Sequence, residues 1–210
     1  FIRNKGVFCS GPLEGLAFFD INQNNDQVNF QLHFTPIWLG KKYGYDAYSL
    51  DDYPRTDGFT ILPTLLHPKS RGTVSLSSSN PEADPIIQPN FLKEKEDLEQ
   101  LVKGGKIVFK IMEQEGLKRF SKSNGLPLER NSDKSLIEHI KKTVETVYHP
   151  VGTCKMGNDK MAVVNCELKV HGIKNLRVVD ASIMPKIVSG NTNAPVYMIA
   201  EKASDMILNT

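Results

Sequence analysis

Nowhere in the 210 residues do apolar side chains run for the ~18 consecutive positions that a membrane-spanning helix needs, so no transmembrane segment is expected. Charge of one sign is lacking too. With 26 Lys and Arg against 24 Asp and Glu, the formal net charge is +2, which removes the electrostatic case for nucleic acid or an anionic membrane as a partner. Cysteine is scarce: Cys9, Cys154 and Cys166 are odd in number and have no CxxC or Cys/His metal spacing, which excludes a disulfide scaffold and argues against a metal site. One bridge stays open, so cysteine does not fix the compartment. No Asn-x-Ser/Thr acceptor occurs, no basic-then-apolar leader is visible, and residue 1 is Phe rather than Met. The first twelve residues read as the interior of a longer polypeptide, and the chain is expected to be a fragment.

What is present suffices for a packed core, since 40% of the residues are hydrophobic. Residues 28–35 alternate strictly: Val28, Phe30, Leu32 and Phe34 on one face, Asn29, Gln31, His33 and Thr35 on the other. That pattern predicts a half-buried strand. A Gly/Tyr/Asp-rich loop over 40–57 follows, then strands over 59–66 and 72–77, and an irregular proline-bearing connection over 80–90.

A helix is expected from the charged run 93–97 onward. Its apolar stripe is Leu98, Leu101, Val102, Gly105, Val108, Phe109 and Met112, and Gly104 and Gly105 weaken it by up to about 1 kcal/mol each relative to Ala. Ser132 caps a second helix with Leu136, Ile137, Ile140 and Val144 inward, ending near Thr146. Because Pro150 disfavours α geometry at the residue before it, 147–149 should be extended. Further on, 176–179 reads as a short buried strand. The last helix follows Asn193, with Val196, Ile199, Ala200, Ala203 and Ile207 on its inner face, Asn193 as cap and Pro195 in the first turn.

Of the five histidines, His33, His67, His139 and His171 have bland settings on a strand, in loops or on a charged helix. His149 differs. It lies in Tyr148-His149-Pro150-Val151-Gly152-Thr153-Cys154-Lys155-Met156-Gly157, where two glycines let the backbone approach a ligand or another strand; the plain alternative is a tight turn with a surface histidine. Asp180 ends the apolar stretch at a sheet edge, where its carboxylate can accept from hydroxyls or simply close a turn. In Ser189-Gly190-Asn191-Thr192-Asn193-Ala194-Pro195 two asparagines stand at a helix N-terminus, which favours negative charge; simple capping by Asn193 is the alternative use.

Together with Leu176-Arg177-Val178-Val179-Asp180-Ala181-Ser182-Ile183-Met184-Pro185, these motifs resemble the C-terminal region of the glucose-methanol-choline (GMC) oxidoreductases. Pro68-Lys69-Ser70-Arg71-Gly72, Asp84-Pro85-Ile86-Ile87 and Asn90-Phe91-Leu92 extend the likeness over 68–207. The resemblance implies an α+β fold. Residues 1–147 would form a mixed or antiparallel substrate-domain sheet covered by helices. Residues 148–210 would be the returning segment of an FAD-binding α/β domain whose N-terminal part is absent.

It further implies a His/Asn pair, His149 and Asn191, as catalytic residues facing a flavin. His149 takes the hydroxyl proton while the alcohol's hydride moves to FAD, and Asn191 holds the oxygen; an imidazole suits proton transfer at neutral pH. Asp180 and Ala181 match positions near the ribityl and phosphate region of the cofactor, and Thr192, Asn193 and Ala194 those near its pyrimidine edge. The implied partners are an alcohol or sugar substrate and an electron acceptor, quinone or oxygen. The motifs are closer to glucose-dehydrogenase-like and choline-dehydrogenase-like members than to fungal sugar oxidases, and a secreted setting is the leaning. The same scaffold also serves non-redox lyases. One departure stands out: the family's GxGxxG turn, which cradles the ADP half of FAD, occurs nowhere in these residues, so the 210-residue chain alone is expected to be inactive.

Overall fold

The computed structural model describes residues 11, 13–23, 27–39, 56–121, 129 and 132–209. Two compact units divide the chain: Phe1–Lys69 with Leu92–Val144, and Ser70–Phe91 with Glu145–Thr210. Residues 70–91 fall with the second unit. The fold is α+β with small antiparallel sheets, and most of the tyrosine-rich loop expected over 40–57 lies outside the described residues.

In the first unit β1 (Gly15–Phe19), β2 (Phe30–Thr35) and β3 (Thr60–Leu65) form an antiparallel sheet in that order. Strand β1 was not expected. The middle strand β2 is buried on both faces rather than one: Phe30 and Leu32 are enclosed, and so are Gln31, His33 and Thr35. Alternation reports side-chain polarity, whereas burial depends on what covers each face. His33 is accommodated because Thr64 Oγ1 on β3 lies 3.3 Å from its Nδ1. Pro63, which has no N–H, sits opposite Leu32 on β3, an edge strand where a missing donor is tolerated.

Helix α1 (Lys95–Met112) packs on β3 and on α3 (Asp133–Thr143), while α2 (Glu115–Lys118) is a single turn. The buried Asp97 in the first turn of α1 accepts a 2.7 Å hydrogen bond from Lys69 N, which pins the chain leaving β3 to the helix. Val102, Leu136 and Ile140 form the core between α1 and α3. Ser132 caps α3 by accepting from Ser135 N at 3.2 Å; the helix ends at Thr143, so Val144 is its C-cap rather than an inward residue.

The glycines read as weak points of α1 are what lets it approach its neighbours. A Cβ on Gly104 would lie 2.1 Å from Cζ of Phe30, whose ring is fully buried, and one on Gly105 3.0 Å from Leu136 Cδ1. Gly104→Ala is therefore expected to destabilise the protein by about 1–3 kcal/mol through overpacking, against the gain of about 1 kcal/mol that helix propensity alone would give. Denaturant unfolding decides between them: an unchanged or raised midpoint would contradict the packing argument.

The second unit carries the hairpin β4 (Thr73–Ser75) and β5 (Ile86–Gln88), the latter inside the stretch expected to be irregular. Asn90 Nδ2 donates to Arg71 O at 3.0 Å across its base. The rest of the unit is mostly irregular chain around Val164, Leu168, Ile183, Met184, Ile199 and Ala203. Residues 176–179 are not a buried strand: Leu176 is 46% exposed and only an isolated bridge joins Arg177 to Lys169. In helix α4 (Asn193–Leu208) the inner face is Val196, Ile199, Ala203 and Met206; Ala200 and Ile207, expected inward, are exposed.

Candidate active site

The segment carrying His149 is held by backbone. Cys154 N donates to Ser182 O at 3.0 Å and Met156 N to Ile183 O at 2.8 Å, so the chain after His149 runs along the 3₁₀ turn Ala181–Ile183. Ile183 in that turn shares a core with Ile199 of α4, which brings the end of α4 and the His149 segment into one structure. Just before the histidine, the expected extended geometry fails. Tyr148 takes φ +62°, a left-handed conformation that costs a non-glycine residue roughly 1–2 kcal/mol. Its N–H donates to Thr146 Oγ1 at 2.9 Å, a local bond that supports the bend from which the imidazole is presented.

His149 and Asn191, 42 positions apart, meet through a 2.8 Å bond between Asn191 Nδ2 and His149 Nε2. On the other side of the ring Thr192 Oγ1 lies 3.2 Å from Nδ1. An amide NH₂ only donates, so with this orientation Nε2 is the acceptor and the ring proton of neutral His149 sits on Nδ1, donating to Thr192. The imidazole is half-buried, Asn191 is exposed and Thr192 is buried. The exposed edge of the pair is thus a nitrogen lone pair beside an amide donor, which suits a hydroxyl group that must give up a proton while its oxygen is held.

Thr192, rather than Asn193, is the N-cap of α4, and no side chain caps this end; Asn193 is the first helical residue. Pro195 has no N–H, so the first-turn donors are those of Asn193 and Ala194, beside the positive end of a 16-residue helix. Asp180 caps the 3₁₀ turn, accepting from Ser182 N at 2.7 Å, and its side chain is exposed. One carboxylate oxygen is therefore engaged locally, as in the turn-closing reading, and Ala181 is the first residue of that turn. Ser182 Oγ is buried with no hydrogen-bond partner. Sequence reasoning did not find Thr192 as a neighbour of His149. Its only signal was position, next to Asn191.

His171, read as bland, has its Nε2 3.0 Å from Gly157 O, and burial lowers the pKa of His139 on α3. Among the described residues no group of three or more His, Cys, Asp or Glu side chains could hold a metal ion, and no helix is long and apolar enough to cross a membrane.

Residues 68–200 match the family described as GMC oxidoreductase. The chain is 40% identical over 98% of its length to an alcohol dehydrogenase [acceptor] of Pseudomonas putida, covering 36% of that protein. It is 36% identical over 96% of its length to an oxygen-dependent choline dehydrogenase of Escherichia coli, covering 35% of it. Among solved structures, a formate oxidase of Aspergillus oryzae, described in terms of modification of its FAD, superposes with a TM-score of 0.77 at 30% identity, over 87% of this chain and 32% of that one. The chain thus spans about a third of the length of the relatives it matches.

Proposed function

The chain belongs to the GMC oxidoreductase family, and from that premise we propose that it carries the proton-accepting and oxygen-holding side chains of an FAD-dependent enzyme that oxidises an alcohol CH–OH group. The observation that carries this reading is the 2.8 Å contact of His149 Nε2 with Asn191 Nδ2 at an exposed edge. A hydroxyl group offers what both ask for. Its proton can go to Nε2 and its oxygen can accept from Nδ2, so it can take over both ends of that bond.

Bound FAD supplies the acceptor for the hydride that leaves the carbinol carbon, so the alcohol loses one proton and one hydride and becomes a carbonyl. The residues present fit such a group: the end of α4 has no side-chain cap, Ala194 is small and exposed, and the buried Ser182 hydroxyl lacks a partner beside Asp180. Asn193 and Ala194 would offer backbone N–H groups to its pyrimidine edge, and Asp180 and Ala181 would lie toward its ribityl and phosphate part. As the proton leaves, negative charge on the substrate oxygen is met by Asn191 and by the positive end of α4, which lowers the barrier electrostatically.

Alcohol and choline dehydrogenases among the relatives support alcohols as the substrate class. Anaerobic mixing of the full-length holoprotein with primary alcohols, choline and sugars tests it. Bleaching of the oxidised flavin absorbance is expected with at least one of them. A flavin left oxidised while substrate is consumed would instead indicate a non-redox lyase working through the same base.

A further inference from the structure

We infer that the hairpin of β4 and β5 is a docking surface for the part of the full-length polypeptide that lies outside these 210 residues, which adds a strand to it and covers Val74 and Ile87. The inference is independent of the reading of His149 as a base. All six strand residues, Thr73–Ser75 and Ile86–Gln88, are exposed. Val74 and Ile87 stand opposite each other in register and so share one face, at 52% and 65% exposure. Among the described residues no third strand pairs with either outer edge. A lone two-stranded ribbon is marginal in water and needs a third strand or a covering layer to be stable. Local bonds nevertheless hold this one in shape. Ser77 Oγ donates to Asp84 O at 2.6 Å in the connection, and Asn90 Nδ2 to Arg71 O at the base.

The strands themselves show that the edges are meant to be paired. Edge strands that stay in solvent are defended by lysine, proline or a bulge, because their free N–H and C=O groups invite another strand. Neither Thr73-Val74-Ser75 nor Ile86-Ile87-Gln88 holds a charge or a proline, and their three pairs are consecutive, without a bulge. The occupant follows from length. This chain spans 36% and 35% of the alcohol and choline dehydrogenases it matches, so about two thirds of such a polypeptide is left to supply the strand. A second copy of the chain fits less well. Stable association of separate molecules buries roughly 800 Å² per partner, far more than six short side chains offer, and it has to offset lost translational and rotational freedom that a strand of the same polypeptide keeps tied.

The test is made on the full-length holoprotein and reads no activity. Amide hydrogen exchange is followed by mass spectrometry on overlapping peptides that resolve residues 73–75 and 86–88. The β4–β5 ladder alone can bond only about half of these N–H groups, because the rest point away from the partner strand. More than half of them should be protected, exchanging about 100-fold or more slower than free amides. A photo-cross-linking benzoylphenylalanine in place of Ile87 then identifies the occupant, and on irradiation it should join to a peptide of the same molecule outside the 210 residues. Leu76, 86% exposed beside β4, takes the probe if the Ile87 variant does not fold. Protection of half the amides or fewer would overturn the inference. So would a cross-link to a second copy, seen as a covalent dimer, or to a peptide within the 210 residues.

Discussion

Replacing His149 by alanine in the full-length holoprotein is expected to slow flavin reduction by an alcohol by about 10²–10⁴-fold, the usual range for loss of a positioned general base. The expectation comes from the ring's setting. Both nitrogens are engaged, Nε2 with Asn191 at 2.8 Å and Nδ1 with Thr192 at 3.2 Å, yet the side chain is only half-buried and anchors no core. The folded state should therefore tolerate the change, and FAD content and thermal midpoint should stay near those of the parent. A purely structural histidine would give the opposite pattern: lowered stability or cofactor content, with the rate per bound flavin preserved. His149→Gln sharpens the comparison, because glutamine can still hydrogen-bond but is no base, and it should be nearly as slow as alanine.

Asn191→Ala is expected to cost about 10²–10³-fold in the same step, the magnitude typical of removing one donor from a developing oxyanion. The more informative variant is Asn191→Asp. Asn191 is exposed, so a residue with only a structural role would accept aspartate readily. A carboxylate cannot donate and adds negative charge where the substrate oxygen gains it, so Asn191→Asp should be at least as slow as Asn191→Ala. Steady-state and single-turnover rates of both variants settle the matter. Wild-type turnover in Asn191→Asp would remove Asn191 from the reaction. Because His149 and Asn191 hold one oxygen between them, the double variant should be less impaired than the product of the two single effects implies.

The candidate site was legible in the sequence to the extent that its chemistry is written in short contiguous motifs. The context of His149 and the pair of asparagines ahead of the last helix needed no tertiary information. Thr192 was legible as a residue but not as a partner of Nδ1, because that contact joins positions 43 apart and depends on how α4 docks through Ile199 and Ala203. The cap followed the same logic: Asn193 is the more obvious cap by type, but the chain turns one residue earlier.

In the fold, long periodic segments such as α1 and α3 were readable, and so was β4 inside the strand expected over 72–77, while β1 and β5 were not. Strand β5 has three residues and exists because β4 offers it a ladder partner, which a local pattern does not record. The reverse error occurred at 176–179, where apolar residues that suit a strand find only one bridge. Gly104 shows a third limit. Helix propensity counts it as a defect, whereas its value lies in the ring of Phe30 packed against it, 74 positions earlier in the chain.

If a C–H bond of the alcohol is cleaved while His149 takes the hydroxyl proton, single-turnover flavin reduction by an alcohol deuterated at the carbinol carbon, in the parent and in His149→Gln, reads out both events. Reduction should be slower with deuterium in the parent and much slower with either isotopologue in the variant. Equal rates for both isotopologues in the parent, together with a parental rate in His149→Gln, would contradict that mechanism.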